Sequence, residues 1–77
     1  MTGAYILIEA IPGKAIELMN IIKGLPGVKT AHLVTGPYDL IIYVEAADLK
    51  SLGEVIVKKI QATGAVARTL TCITVEQ

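Results

Sequence analysis

The amino-acid sequence predicts an α+β fold with the element order β-α-β-β-α-β. Four apolar segments of strand length are rich in β-branched residues, and an amphipathic segment of helical period follows the first and the third of them. The second and third strand segments are joined by a short hinge, Thr35 to Leu40. A chain of 77 residues has the length of one small domain. We therefore expect a single domain over residues 1–77.

The first half of the chain has the pattern of a β-α-β unit. A strand is predicted over Ala4–Ala10, and it ends before Pro12 and Gly13, which favour a turn. Apolar residues recur at helical spacing over Lys14–Lys23, and a second strand is predicted over Val28–Thr35. The predicted buried face of the helix comprises Ala15, Leu18, Met19 and Ile22, widened by Ile16 and Ile21.

The second half repeats this pattern after the hinge. A third strand is predicted over Leu40–Glu45, and Asp48 is a suitable N-cap for a second helix. Gly64 favours the end of that helix, and a last strand is predicted over Ala65–Val75. The predicted apolar face of the second helix comprises Leu49, Leu52, Gly53, Ile56 and Ile60.

Two β-α-β halves joined by a tight hairpin predict the ferredoxin-like arrangement, a four-stranded antiparallel sheet with both helices on one face. The opposite face of the sheet is then left open. Because the strand segments are apolar at successive positions, this open face is expected to contact protein. The simplest partner is the same face of a second copy, which predicts a dimer.

The composition favours self-assembly over binding to nucleic acid or membrane. Hydrophobic residues make up 53% of the chain and charged residues 18%, which leaves more apolar surface than a small monomer can bury. Seven basic residues balance seven acidic ones, so there is no basic patch for a phosphate backbone. No apolar run reaches the roughly 20 residues of a membrane span, and the start is not that of a signal peptide. We expect a cytoplasmic homo-oligomer.

Few residues have the chemistry that an enzyme requires. The chain has one histidine, His32, and one cysteine, Cys72, and it lacks a phosphate-binding loop, a metal-ligand cluster and a nucleophile beside a base. Cys72 lies in an apolar alternation and is expected to be a buried, inert thiol. We therefore expect no catalytic residue, no metal and no cofactor. In the alternative of a small ferredoxin-like enzyme, His32 would have to be the acid or base.

The hinge and its flanking strands resemble the effector-binding domain of the leucine-responsive regulators, the Lrp/AsnC family. The similarity rests on the strand-helix-strand order, on the hinge Thr-Gly-Pro-Tyr-Asp-Leu that runs into an apolar strand, and on Arg-Thr-Leu-Thr at residues 68–71. Members of this family typically carry an N-terminal helix-turn-helix domain for DNA binding. This sequence starts directly at the first strand, so it is expected to be a stand-alone effector-binding domain.

The resemblance implies that two chains pair their sheets, that dimers assemble into a ring, and that an amino acid or a similar effector binds between dimers. Gly36, Tyr38 and Asp39 match the family loop, while Thr69 and Thr71 of a neighbouring chain match its polar last strand. Asp39 could hold the effector's ammonium group, and backbone N–H groups of the hinge could hold its carboxylate.

The favoured function is that of a small-molecule-sensing regulatory module that modulates a transcription regulator. A full-length DNA-binding relative is a candidate partner in mixed assemblies. Two alternatives are a dimeric ferredoxin-like enzyme of the monooxygenase or isomerase type and a purely structural oligomerisation module. An RNA-recognition module is disfavoured, because the chain has zero net charge and no Phe or Trp.

Overall fold

The computed structural model describes residues 1–75, without the Val55 side chain. The strands are β1 (Thr2–Ala10), β2 (Val28–Leu33), β3 (Leu40–Ala46) and β4 (Val66–Ile73), and the first helix is α1 (Ala15–Lys23). The second helix, α2, is α-helical over Leu49–Ser51, π-helical over Leu52–Val57 and α-helical again over Lys58–Gln61. Among the described residues, no helix is long and apolar enough to span a membrane.

The strands form one sheet with the order β2-β3-β1-β4, and every neighbouring pair is antiparallel. This order, with a helix after β1 and after β3, is the predicted ferredoxin-like fold, and the prediction is confirmed. The central strands are β1 and β3, while β2 and β4 are the edges. The strand ends differ from the prediction by up to two residues, because β2 stops at Leu33 and β4 stops at Ile73.

The core lies between the sheet and the helices. Alternate residues of the two central strands are buried, which is the consequence of the two-residue side-chain period of a strand. On this helix-facing side the buried strand residues are Ala4, Ile6, Ile8, Ala10, Leu40, Ile42 and Val44. The helices contribute Leu18, Met19, Ile22, Leu52, Ile56 and Ile60. The intervening strand residues therefore lie on the open face.

Three residues that were predicted to join the buried helix faces are exposed. Ile16 and Ile21 on α1 are 69% and 40% exposed, because the stripe that meets the sheet is narrower than the apolar run in the sequence. Leu49 is 59% exposed in the first turn of α2. The buried α2 residues recur every four positions through a π-helical segment, whose wider turn moves Leu49 off the 3.6-residue stripe.

The predicted N-cap of α2 is confirmed. Asp48 Oδ1 accepts a hydrogen bond of 2.8 Å from the backbone N–H of Ser51, which satisfies one of the unpaired donors at the helix start. This hydrogen bond lowers the pKa of the Asp48 carboxyl group below its ordinary value of 3.8.

The connection from α1 to β2 passes tightly between α2 and the sheet at Gly27. A Cβ atom at this position would lie 2.8 Å from the carbonyl oxygen of Glu45 and 2.9 Å from Cδ1 of Ile56, and φ is +91°. Only glycine combines this backbone conformation with such a close approach. Gly27 therefore allows α2 to lie against the sheet.

The open face carries exposed apolar and aromatic side chains. Tyr5 and Leu70 are 49% and 48% exposed. The Tyr5 ring lies against the Tyr43 ring, with centroids 4.9 Å apart. Cys72 pairs with Tyr5 across β1 and β4 and is exposed, so the prediction of a buried thiol is wrong for the single chain. Because successive side chains of β4 alternate between the two faces of the sheet, Cys72 lies on the open face, as Tyr5 does.

Candidate functional site: the hinge cavity

The hinge is a closed loop with glycine at its bend. The backbone N–H of Val34 donates a 2.8 Å hydrogen bond to the carbonyl oxygen of Asp39, which brings the two ends of the loop together. Gly36 has φ of +147°, a conformation that other residues rarely adopt. The glycine-proline pair of the sequence thus forms the predicted turn between β2 and β3.

Asp39 fastens the hinge to the end of β1. Its N–H donates a 2.8 Å hydrogen bond to the carbonyl oxygen of Ile8, and its Oδ2 accepts one of 2.8 Å from the N–H of Ala10. Alternate residues of a strand direct their backbone N–H and C=O groups towards the same neighbouring strand, so these groups of Ile8 and Ala10 both face β3. Because the chain leaves the sheet at Tyr38, the Asp39 carboxylate replaces the backbone acceptor that a longer β3 would supply.

A cavity of about 350 Å³ lies between the hinge and the open face of the sheet. Leu7 and Ile41 form its floor, since both alternate with core residues and therefore lie on the open face. The full lining comprises Leu7, Val34, Thr35, Gly36, Pro37, Tyr38 and Ile41. Most of these side chains are hydrocarbon or aromatic, so the cavity suits a ligand with an apolar part.

Tyr38 connects this cavity to the edge strand β4. The guanidinium carbon of Arg68 lies 5.1 Å from the centroid of the Tyr38 ring, within the range of a cation–π contact. Arg68 Nε in turn lies 3.2 Å from Oε1 of Glu9, its cross-strand partner on β1. An aromatic ring, a guanidinium and a carboxylate thus form a chain of contacts along one end of the open face.

The predicted site residues fall into two groups. Gly36 and Tyr38 line the cavity, and Asp39 lies directly beside it with one carboxylate oxygen bonded to β1. Thr69 and Thr71 pair with Ile8 and Ile6 of β1, so their side chains share the helix-facing side of the sheet. Within one chain these threonines and the cavity lie on opposite faces. They are not part of the lining of their own chain's cavity.

Sequence reasoning missed Leu7, Ile41 and Arg68. The signal for the two aliphatic residues was available in the strand alternation, because each lies between residues with strong core patterns. Arg68 was identified as part of the Arg-Thr-Leu-Thr segment that carries the family resemblance, and in the structure it forms an ion pair with Glu9. Its contact with Tyr38 depends on how the hinge folds over the sheet, and no local pattern encodes that.

His32 does not take part in the cavity. It lies on β2 opposite Ile41, is exposed, and is absent from the cavity lining. In the part of the chain that the structure describes, no three His, Cys, Asp or Glu side chains are grouped so that they could hold a metal ion.

The chain is similar to transcription regulators and to a small protein of nearly its own length. The helix-turn-helix-type regulator PH1916 of Pyrococcus horikoshii, which is uncharacterized, is 32% identical over 75 residues. That alignment covers 94% of this chain and 50% of the regulator, so the chain spans half the length of this relative. The crystal structure of the hypothetical protein PHS023 from the same organism has 38% identity and a TM-score of 0.90. It is covered over 93% of its length, and this chain over 100%.

A more distant protein shares the fold alone. The transcriptional regulator NMB0573 of Neisseria meningitidis, solved as a complex with L-Met, has a TM-score of 0.85 at 14% identity, over 99% of this chain and 51% of that one.

The family model of the Lrp/AsnC ligand binding domain matches residues 3–77. The resemblance found in the hinge and strand pattern is thereby confirmed. The chain belongs to the Lrp/AsnC ligand-binding domain family.

Proposed function

We propose that this chain is an effector-sensing domain that binds an amino acid or a similar small molecule at the hinge cavity. The observation that carries the proposal is the cavity itself, which the hinge forms against Leu7 and Ile41 in a domain of a ligand-binding family. Its volume of about 350 Å³ is in the range of small-molecule sites. Its apolar lining suits an aliphatic or thioether side chain.

The polar part of the effector would be held at the rim of the cavity. Asp39 is the acidic residue of the hinge, and its Oδ2 already accepts a hydrogen bond from the backbone N–H of Ala10. An effector ammonium group would therefore bind through the second carboxylate oxygen, Oδ1. The hydroxyl groups of Thr69 and Thr71 from another chain would complete the site, because in their own chain they lie on the opposite face.

Assembly would link effector binding to regulation. The exposed residues of the open face, among them Tyr5 and Leu70, support a face-to-face dimer. Dimers would then associate into a ring with the effector between them. A ligand that contacts two subunits stabilises the assembly that contains both, so effector concentration would control the oligomeric state. Through this change the domain would modulate a transcription regulator, including a full-length relative in a mixed ring.

Isothermal titration calorimetry with each proteinogenic amino acid tests this function. We expect heat from a small set of apolar amino acids and none from most charged ones. The variant Ile41→Phe adds volume to the cavity floor and should abolish that heat. The control Ile16→Phe adds a ring at a position that is 69% exposed on α1, outside both the cavity and the open face, and should retain it. No heat from any amino acid, or equal heat from both variants, would contradict the proposal.

A further inference from the structure

We propose that Arg68, held in place by Glu9, is a positioning residue that fixes the Tyr38 ring as a wall of the effector cavity. The inference rests on the function proposed above. Tyr38 lines the cavity, whereas Arg68 does not. The Arg68 guanidinium carbon lies 5.1 Å from the centroid of the Tyr38 ring. Arg68 therefore acts on the effector through the position of the ring.

The position of Arg68 follows from the sheet register. Arg68 and Glu9 are cross-strand partners on β4 and β1, and Nε lies 3.2 Å from Oε1. The ion pair at Nε favours one orientation of the guanidinium plane, in which its carbon lies 5.1 Å from the centroid of the Tyr38 ring. The two side chains are 59% and 42% exposed, so the ion pair contributes little to global stability. Its effect is local orientation.

The hinge is then anchored at two separate points. Asp39 binds β1 through its N–H and its carboxylate, and Tyr38 contacts β4 through Arg68. Gly36 and Pro37 lie between these anchors and β2. In the described part of the chain, neither residue makes a backbone hydrogen bond to the sheet. The Tyr38 ring is therefore already in position when an effector enters the cavity. A preorganised wall lowers the ordering cost of binding.

The contact can be tested without an effector by NMR. A ring that lies over a guanidinium shields the neighbouring δ-methylene protons, so we expect these protons of Arg68 to be shifted upfield. Tyr38→Phe keeps the ring and should keep the shift, while Tyr38→Leu should remove it. Glu9→Gln weakens the orienting ion pair and should reduce it. The same Arg68 shifts in the wild type and in Tyr38→Leu would overturn the proposal.

A double-mutant cycle tests the effect on binding, with L-methionine as the probe. Arg68→Ala should weaken binding about 2- to 5-fold, which is the worth of a cation–π contact at an exposed site. In the Tyr38→Leu background the same change should have no further effect. Lys23→Ala, which removes a cation from the distant end of α1, should leave affinity unchanged.

Failure of the positioning role of Arg68 and failure of the proposed effector binding give different results. An equal loss from Arg68→Ala in both backgrounds would overturn the positioning role, because Arg68 would then act independently of the ring. If the wild type binds no L-methionine, that result counts against the proposed function for this probe. The NMR comparison of the wild type and Tyr38→Leu still decides whether Arg68 holds the ring.

Discussion

The carboxylate of Asp39 accepts a 2.8 Å hydrogen bond from the backbone N–H of Ala10, across 29 positions of sequence. This bond closes the end of the β1–β3 ladder where the chain departs into the hinge. Asp39 thus has a structural role that does not depend on any effector. The family resemblance implies a ligand role for Asp39, and this hydrogen bond supplies a second reason for an acid at this position.

The two roles of Asp39 are separable by a pair of variants. Asn retains an oxygen that can accept from Ala10, but it cannot neutralise an ammonium group. We expect Asp39→Asn to unfold near the wild-type denaturant midpoint and to lose effector binding. Asp39→Ala removes the acceptor and should cost about 1 kcal/mol of stability. Effector binding by Asp39→Asn at wild-type affinity would show that Asp39 is only a hinge anchor.

Gly3 sets the position of Tyr43 on the open face. A Cβ atom at residue 3 would meet the Tyr43 hydroxyl group and lie 3.0 Å from Cζ of the ring. The hydroxyl also donates a 3.2 Å hydrogen bond to Oε2 of Glu45. We expect Gly3→Ala to displace the ring at a cost of about 1 kcal/mol.

The ring-proton NMR shifts of Tyr43, which depend on the neighbouring Tyr5 ring, measure this displacement. The matched control is Gly53→Ala, whose Cβ would enter open space on α2. The control should leave the Tyr43 shifts unchanged. Unchanged shifts in Gly3→Ala as well would refute the prediction.

If two chains associate through their open faces, a charge introduced on that face should dissociate the dimer, whereas a charge on the helix side should not. Leu70→Asp places a charge among the exposed apolar residues of the open face and should shift dimers to monomers. Ile16→Asp changes a residue that is 69% exposed on the helix side and should leave the dimer intact. Sedimentation velocity distinguishes the species. A monomeric wild type, or dissociation caused by Ile16→Asp alone, would exclude this interface.

The N-cap of α2 predicts a dependence of stability on pH. The Ser51 hydrogen bond lowers the pKa of Asp48 in the folded state, so the ionised carboxylate is favoured by folding. Its contribution is fully present above the ordinary pKa of 3.8 and is lost as pH falls through the lower folded value.

Thermal unfolding of the wild type and Asp48→Ala at several pH values measures this contribution. The difference in Tm should be constant above pH 3.8 and should shrink in acid. Asp48→Asn keeps a cap that does not titrate, so its Tm difference from Asp48→Ala should not depend on pH. A pH-independent difference between the wild type and Asp48→Ala would contradict the assignment.

Local signals determined much of the fold. The period of the apolar residues separates strand from helix, Asp48 marks the start of α2, and the turn chemistry of Gly36 marks the hinge. These features depend on neighbours within a few positions, so the sequence contains them. The same signals overestimated the helix faces at Ile16 and Leu49, because the width of a buried stripe depends on the surface against which it packs.

Local sequence patterns indicated only part of the candidate site. The sequence by itself determined the fold class, the family and the hinge as a candidate ligand-binding segment. Only the tertiary structure decided that Asp39 bonds to Ala10, that Arg68 lies against Tyr38, and that Thr69 faces away from the cavity of its own chain. Each of these relationships joins residues that are distant in sequence or on different strands. Sheet register and hinge packing bring them together, and both are properties of the whole folded chain.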